Sequence, residues 1–150
     1  MRAVDYIVQP VNWHDARAAL AAVRRRVFIE EQGVPEELEW DEYDAAAVHV
    51  LACAADTPIG TGRLIESGRI GRLAVLAHWR GRGVGDALLD LLIGIARERR
   101  YAVVKLHAQT HAISFYARRG FHAVGADFLE AGIPHREMVL QLPPVSTSRA

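Results

Sequence analysis

Hydrophobic and polar positions repeat along the chain with two different periods, and each period predicts a different type of element. Apolar residues spaced three and four apart predict an amphipathic helix, whereas short apolar runs bounded by turn residues predict strands. The first helical pattern starts after Asn12, a suitable N-cap, and continues to about Glu31, where Gly33-Val34-Pro35 ends it. The second starts at Val84 and keeps this spacing through Ile95.

The remaining patterns predict strands and one more short helix. The helix covers residues 112–119, with Thr110 as its candidate N-cap and Gly120 as its end. Turn signals at Thr57-Pro58 and Ser67-Gly68 separate three neighbouring apolar runs, which predicts an antiparallel meander. Strands are predicted at residues 4–8, 48–54, 59–66, 70–76, 102–106, 121–124 and 138–142. This order predicts a mixed α/β (α+β) domain and not a strictly alternating parallel fold.

Length and composition narrow the class of protein. A chain of 150 residues suits a single domain, which we expect at residues 1–142 with a flexible tail at 143–150. Lys+Arg and Asp+Glu both number 18, and such a balance is atypical of a nucleic-acid-binding protein. The single cysteine, Cys53, excludes an internal disulfide, and its apolar neighbourhood predicts a buried, inert thiol. With no secretory signal and no membrane-spanning apolar run, we expect a cytoplasmic protein.

The segment from residue 70 to residue 95 is the strongest candidate for a binding site. A predicted strand ends, a short loop carries Gly81, Gly83 and Gly85 at alternate positions, and the clearest helix begins. Glycines let a ligand approach the backbone, and the free N–H groups at a helix N-terminus attract anions such as phosphate. The spacing matches neither the Walker pattern nor the dinucleotide fingerprint Gly-x-Gly-x-x-Gly. A tight turn without a ligand is the structural alternative.

Two motifs lie in order along the chain. The first is Leu73-Ala74-Val75 followed by Arg80-Gly81-Arg82-Gly83-Val84-Gly85. The second is Ala112-Ile113, Phe115-Tyr116 and Gly120-Phe121. Together they resemble the acetyl-CoA-binding motif and the last helix of the GNAT acetyltransferases. Further residues resemble the ElaA-like branch of that family, and with them the likeness covers about residues 24–142. They are Arg26-Val27-Phe28, Glu31-Gln32, Asp41, Asp44, His49, Ala108-Gln109 and Gly132-Ile133-Pro134-His135.

The resemblance implies a fold and a cosubstrate. The expected fold is the GNAT acyl-CoA N-acyltransferase fold, a mostly antiparallel central sheet with a splayed pair of strands, flanked by helices. The cosubstrate would be acetyl-CoA, with no metal. Backbone amides of the glycine loop would hold its pyrophosphate, and the strand before the loop would run beside the pantetheine arm. The implied CoA-binding residues are Leu73, Ala74, Val75, Arg80, Gly81, Arg82, Gly83, Val84, Gly85, Gln109 and Phe115, with Gln109 standing where many members have asparagine.

The catalytic groups implied by the resemblance are an acid and a base. Tyr116 matches the general acid, whose phenol would protonate or hydrogen-bond the CoA thiolate; the alternative is a core tyrosine. An acceptor amine is mostly protonated at neutral pH, and deprotonating it costs on the order of 4 kcal/mol. With Tyr116 as the acid, we name Glu31 as the candidate base. Four other residues stay open for the role of base: Asp41, Asp44, His107 and His111.

The acceptor pocket is predicted to include acidic and imidazole side chains. Acids could attract a cationic substrate, although a solvated acidic loop explains Asp41 and Asp44 equally. The pocket residues that we expect are Asp41, Asp44, His49 and His135. The run Arg24-Arg25-Arg26 predicts a solvated helix face from which Arg26 could turn inward. A metal site at His107 and His111 is disfavoured because His107 lies on a predicted strand.

The sequence therefore predicts an enzyme that passes the acetyl group of acetyl-CoA to a primary amine, by direct attack in a ternary complex. A covalent route through Cys53 is disfavoured because no base is adjacent to it in the sequence. The alternative function is a non-catalytic module that binds and senses acyl-CoA. We expect a small-molecule or peptide amine as partner, no nucleic acid and no membrane, and a homodimer is compatible with the family.

Overall fold

The computed structural model describes residues 5–144, and over these residues strands and helices follow the predicted order. The strands are β1 (Ile7–Val11), β2 (Val48–Ala54), β3 (Thr57–Leu64), β4 (Ile70–Val75), β5 (Val103–Gln109), β6 (His122–Glu130) and β7 (Ile133–Gln141). The α-helices are α1 (Trp13–Arg24), α2 (Glu36–Glu39), α3 (Val84–Glu98) and α4 (Ile113–Ala117). None of the helices in this part of the chain is long and apolar enough to cross a membrane.

The strands form two antiparallel sheets that meet along β4 and β5. One sheet has the order β1-β2-β3-β4 and the other has the order β5-β7-β6. A parallel bridge between Arg69 and Lys105 joins them, and the amide of Lys105 donates to the carbonyl of Gly68 at 3.1 Å. Beyond this bridge β4 and β5 have no ladder between them, which confirms the predicted splayed pair and the GNAT fold.

The first helix confirms its predicted start but not its predicted surface. The side chain of Asn12 accepts a hydrogen bond from the amide of His14 at 2.8 Å, and after Arg24 the chain continues as a π-helix, Arg25–Glu31. The apolar stripe of Leu20, Val23 and Val27 is buried against the sheet. Within the arginine run it is Arg24 that is buried, at 1% exposure, while the side chain of Arg26 is 64% exposed. The predicted solvated face is therefore confirmed for Arg25 and Arg26 and wrong for Arg24, and Arg26 does not turn inward.

Helix α3 packs on the four-stranded sheet because β3 offers it two glycines. A Cβ at Gly60 would lie 2.9 Å from Cδ1 of Leu88, and one at Gly62 would lie 2.8 Å from Cδ1 of Leu92. Larger residues would push the helix away from the sheet. This close contact holds the N-terminus of α3 at the end of β4.

The C-terminal third differs most from the sequence predictions. Thr110–Ala112 form a 3-10 turn, and α4 then has Ala112 as its N-cap, so Thr110 does not cap the α-helix. Strands β6 and β7 make a long hairpin where only residues 121–124 and 138–142 were predicted. Strand β6 is a largely exposed edge, so its residues lack a clear hydrophobic alternation. Residue 4 of the first predicted strand and residues 145–150 of the predicted tail lie outside the described residues.

Candidate functional site

An open cleft of about 1670 Å³ occupies the space where β4 and β5 part. Its walls come from β4, the glycine loop, β5, α4 and the end of the π-helical segment. Opposite Gly62, β4 carries a bulge, because Thr61 pairs with Ala74 while Arg63 pairs with Gly71. Arg72, inside this bulge, has a φ of 50°. The bulge turns the backbone of β4 at the middle of the cleft wall.

The glycine loop lies at the end of the cleft where β4 stops. Gly83 has a φ of 85° and directly precedes α3, and Gly81 has a φ of 79° with nothing within 4 Å of a Cβ built on it. Both conformations suit glycine and strain other residues. The first-turn amides of α3 have no partner within the helix, so the loop offers donors to an anion. Gly85 packs against the ring of Phe115, where a Cβ would lie 3.4 Å from Cζ.

The two arginines of the loop have different environments. Arg80 donates through Nε to the carbonyl of Val75 at 2.9 Å, and its two Nη atoms donate to the carboxylate of Glu31 at 2.7 Å each. Arg82 instead lies over the ring of Trp79, with Cζ 4.6 Å from the centroid. Among residues 5–144 no carboxylate forms an ion pair with Arg82. Of the two, Arg80 lines the cleft with its charge paired, whereas Arg82 is unpaired among these residues but lies outside the cleft lining.

The hydrogen bonds from Arg80 also change the chemistry of Glu31. These bonds lower the pKa of the Glu31 carboxyl. A carboxylate with a lowered pKa is a weaker base, and both of its oxygens are already occupied. The geometry does not favour Glu31 as the base, and it gives this residue the task of holding Arg80 in place.

Tyr116 projects from α4 into the cleft. Its ring packs edge-to-face against Phe115 and Phe121, with centroid distances of 5.0 and 6.0 Å. Desolvation by the surrounding protein raises the pKa of the Tyr116 phenol to about 12. The hydroxyl therefore keeps its proton at neutral pH and can act as a hydrogen-bond donor.

Gln109 belongs to a chain of polar side chains across the cleft. Its Nε2 donates to Oε1 of Gln32 at 2.9 Å, while its Oε1 lies 2.8 Å from Nε2 of His111. This chain ties the end of β5 to the segment after the π-helix. The amide that was predicted to contact the CoA arm thus already has protein partners on both atoms.

The acidic residues of the predicted acceptor pocket lie in an arginine–carboxylate network. Asp44, 3% exposed, accepts from Arg24 and Arg63 at 2.9 Å each. Burial would raise the pKa of Asp44, but the hydrogen bonds from these two arginines outweigh it and lower the pKa. The members of the network are Arg24, Arg63, Arg72, Glu39, Asp41 and Asp44, linked by N···O distances from 2.8 to 3.2 Å. Three positive and three negative charges cancel there, so the network leaves little field to attract a cation.

The structure separates the four predicted pocket residues. Asp41 and His135 line the cleft, whereas Asp44 and His49 lie behind its wall. The Nε2 of His49 bonds the carbonyl of Asp44 at 2.8 Å, and its ring stacks on Trp13 at 5.0 Å. For Asp44 and His49 the expected place in the pocket was wrong, because ion pairing and stacking draw both side chains into the interior.

Sequence reasoning missed a second polar cluster on the opposite wall. Nδ1 of His107 lies 3.0 Å from Oε1 of Glu130, and Nε2 of His135 lies 4.0 Å from the same oxygen. The ring of Phe128 packs between the two imidazoles, with centroids 4.8 and 6.0 Å away. The pattern Gly-Ile-Pro-His marks a hairpin turn, and reading it as one would have placed Glu130 near His135. Within the described residues no group of three ligand-type side chains is placed to hold a metal ion.

Comparisons with known proteins agree with this geometry. The family model described as "Acetyltransferase (GNAT) domain" matches residues 14–142. The chain is 36% identical to the uncharacterized N-acetyltransferase YjcF of Bacillus subtilis, over 78% of this chain and 86% of that protein. It is 30% identical to the protein ElaA of Escherichia coli, over 83% of this chain and 86% of that protein. The crystal structure of an acyl-CoA N-acyltransferase from Pseudomonas aeruginosa superposes with a TM-score of 0.80 at 29% identity, over 89% of this chain and 98% of that one.

Proposed function

This chain belongs to the GNAT acetyltransferase family, and from that membership we propose that it transfers the acetyl group of acetyl-CoA to a primary amine by direct attack in a ternary complex. One observation carries the proposal. A glycine loop at the N-terminus of α3 stands at one end of a cleft whose sides are two unpaired strand edges. An anion site of this kind, continuous with a long slot, fits a nucleotide that carries an extended arm.

The loop supports binding of the CoA pyrophosphate. Gly81 leaves its backbone open, and Gly83, Val84 and Gly85 at the start of α3 line the same end of the cleft. Arg82 supplies a positive charge that no carboxylate among the described residues neutralises. In this proposal Arg80 keeps its ion pair with Glu31 and thereby holds the loop in its conformation.

The free edge of β4 supports a place for the pantetheine arm. Leu73, Ala74 and Val75 follow the bulge and line the cleft without a neighbouring strand on that side. Amides of the arm can pair with such an edge as an added strand would. The acyl end then points toward the bulge, and a main-chain N–H of β4 at that end polarises the thioester carbonyl as it becomes an oxyanion.

Tyr116 supports the departure of the thiol. Because its pKa is raised to about 12, the phenol stays protonated at neutral pH and donates a hydrogen bond, and it is a weak acid. It therefore stabilises the CoA thiolate through a hydrogen bond. It also passes a proton to the sulfur as the thiolate leaves. No residue of the cleft has to become a covalent acyl carrier in this scheme.

Calorimetric titration with acetyl-CoA tests the cosubstrate, with NADH and ATP as controls. Selective binding in the micromolar range is expected, and no heat from a folded sample would contradict the site. Thiol release that depends on an added primary amine then separates an acetyltransferase from a protein that only senses acyl-CoA. Hydrolysis of acetyl-CoA without an amine would not count as support.

A further inference from the structure

The carboxylates that line the cleft fall into two groups by their partners. Glu31, Glu39, Asp41 and Asp86 each pair with an arginine, at N···O distances from 2.7 to 3.6 Å. Among residues 5–144, Glu66 and Glu130 pair with no arginine, and of these two Glu130 alone has histidines, His107 and His135, within 4.0 Å of its carboxylate. Its negative charge is therefore not cancelled by a permanent cation within the described residues.

The hydrogen bond to Glu130 sets the tautomer of His107. A carboxylate can only accept, so Nδ1 of His107 carries the hydrogen that bridges the 3.0 Å gap to Oε1. The lone pair of the neutral ring then lies on Nε2, which is 3.7 Å from Oε1 of Glu137, too far for a hydrogen bond. The side chain of His107 lines the cleft and is 29% exposed.

Two carboxylates and a second histidine surround the ring of His107. Glu130 reaches it from β6, and Glu137 and His135 approach from β7. Arg69 faces Glu137 at 3.9 Å and offsets part of that charge. The ring of His107 therefore lies beside two carboxylates, one of which also faces Arg69.

His107 stands where the two sheets begin to part. It lies two residues beyond Lys105, which bridges to Arg69, and Gly71 lies two residues beyond Arg69 on the other wall. Both His107 and Gly71 line the cleft, directly before the bulge at Arg72. An arm that enters from the glycine loop and follows β4 would bring its reactive end to this point.

We propose that His107 and Glu130 form the dyad that deprotonates the acceptor amine, with Nε2 of His107 as the base and Glu130 as its positioning residue. The inference rests on the proposed acetyl transfer and adds the class of acceptor, a primary amine that arrives as an ammonium ion. Glu130 and Glu137 attract the cation, and the neutral imidazole accepts its proton.

The step balances in protons and electrons. One N–H bond of the ammonium breaks and a new N–H bond forms at Nε2 of His107, which becomes an imidazolium. The freed lone pair attacks the thioester carbon, and the C–S bond breaks as the amide bond forms. The second proton lost by the amine nitrogen passes to the CoA sulfur, and the imidazolium returns its proton to solvent.

Two amines of similar size test the dyad. Ethylamine is protonated at pH 7, whereas the fluorines of 2,2,2-trifluoroethylamine leave it unprotonated, so only ethylamine needs a base at the start. We expect His107→Gln to lower kcat/KM for ethylamine by about 100-fold and for the fluorinated amine by about twofold or less. The affinity for acetyl-CoA should not change. His122→Gln, an exposed histidine on β6, is the matched control and should leave both rates unchanged.

An equal loss with both amines, or no loss with either, would overturn the dyad. In those cases the acetyl transfer itself still stands, because the wild type acetylates the amines. If the wild type binds acetyl-CoA and acetylates neither amine, transfer to a primary amine fails and the dyad fails with it.

The role of Glu130 has a separate readout. Long-range proton–nitrogen NMR reports which ring nitrogen of His107 carries hydrogen, and we expect Nδ1–H in the wild type and a mixture of tautomers in Glu130→Gln. A wild-type ring with hydrogen on Nε2 would contradict the proposal, whatever the rates. A purely structural role of Glu130 would leave this tautomer ratio unchanged.

Discussion

At the scale of single residues, Tyr116 combines an apolar setting with a polar tip. Its ring is held by Phe115 and Phe121, and the residue belongs to the lining of the cleft. The same desolvation that raises its pKa to about 12 keeps the hydroxyl protonated over the whole neutral range. The rate of acetyl transfer should therefore depend on the presence of the Tyr116 hydroxyl and not on its ionisation.

Replacing Tyr116 by Phe should lower kcat at least about tenfold, since the variant keeps the ring packing and loses only the donor to the thiolate. The Kd for acetyl-CoA, measured by calorimetry, should stay within about twofold of the wild type. Tyr101→Phe serves as control, because its hydroxyl donates to the carbonyl of Glu66 and lies outside the cleft lining. Unchanged turnover in Tyr116→Phe would remove this residue from the mechanism.

Gly83→Val should abolish acetyl-CoA binding. The φ of 85° at this position is strained for a β-branched residue, and a Cβ there would lie 3.4 Å from the hydroxyl of Tyr6, so the substitution would distort the loop. Gly94→Ala on α3 is the matched control, since nothing lies within 4 Å of its added Cβ, and it should bind normally. The affinity for acetyl-CoA is measured by calorimetry. Normal affinity in a Gly83→Val variant with native circular dichroism would contradict the assignment of the loop as the phosphate site.

At the scale of elements, the arginine–carboxylate network fastens the segment after α1 to the four-stranded sheet. Arg24 comes from α1, Glu39 from α2, and Arg63 and Arg72 from β3 and β4. Burial raises the pKa of Glu39, against the pull of the arginines around it. Such groups are stable inside the protein only while every charge keeps its partner.

Arg24→Met should lower the free energy of unfolding by about 3–5 kcal/mol, because it leaves two buried carboxylates with one arginine fewer. Arg26→Met, two positions away with a 64% exposed side chain, should change it by no more than about 0.5 kcal/mol. Urea unfolding of both variants is the measurement. Equal effects from the two substitutions would mean that the network contributes no stability.

His49 should make the protein less stable in mild acid. Burial lowers the pKa of His49 below the usual 6.5. The imidazole therefore binds a proton more readily in the unfolded chain than in the folded one. The stability is therefore complete above pH 6.5 and falls as the pH drops below that value. His49→Gln should flatten this part of the profile of unfolding free energy against pH. A slope that is the same in both proteins would exclude His49 as its source.

At the scale of the whole molecule, the two sheets have one bridge between them and a cleft beside it. A ligand that fills the cleft joins both sheets, and its binding energy then opposes their separation. The predictions of a single domain over residues 1–142, of a homodimer and of a cytoplasmic location concern this scale and stay predictions.

Acetyl-CoA should therefore slow amide hydrogen exchange in both sheets at once. At a concentration of 100 times Kd, the stabilisation of about 2.7 kcal/mol corresponds to exchange up to about 100-fold slower. The effect should be clear at Val75 on β4 and at Gln109 on β5, and NADH should not produce it. Protection limited to the glycine loop would show that the ligand does not reach between the sheets.

The sequence alone determined the features that depend on neighbours along the chain. The Asn12 cap, helix α3 and the glycine loop before it are all local patterns, and each was found where it was predicted, although the fully buried face of α3 includes Leu89 and Ile93 in place of Leu91 and Ile95. The meander of β2, β3 and β4 followed from short turns for the same reason. Together with the family motifs they were sufficient for the fold and the enzyme class.

Only the tertiary structure decided how the polar side chains are paired. In the sequence a carboxylate looks the same whether it is solvated, paired or catalytic, because burial and the approach of a distant partner set its charge state. Glu31 and Arg80 are 49 positions apart, and His107 and Glu130 are 23 apart. Folding brings Arg80 to Glu31, which stays a candidate for the base, and buries Asp44 and His49. It also placed beside His107 a carboxylate that no local pattern marked.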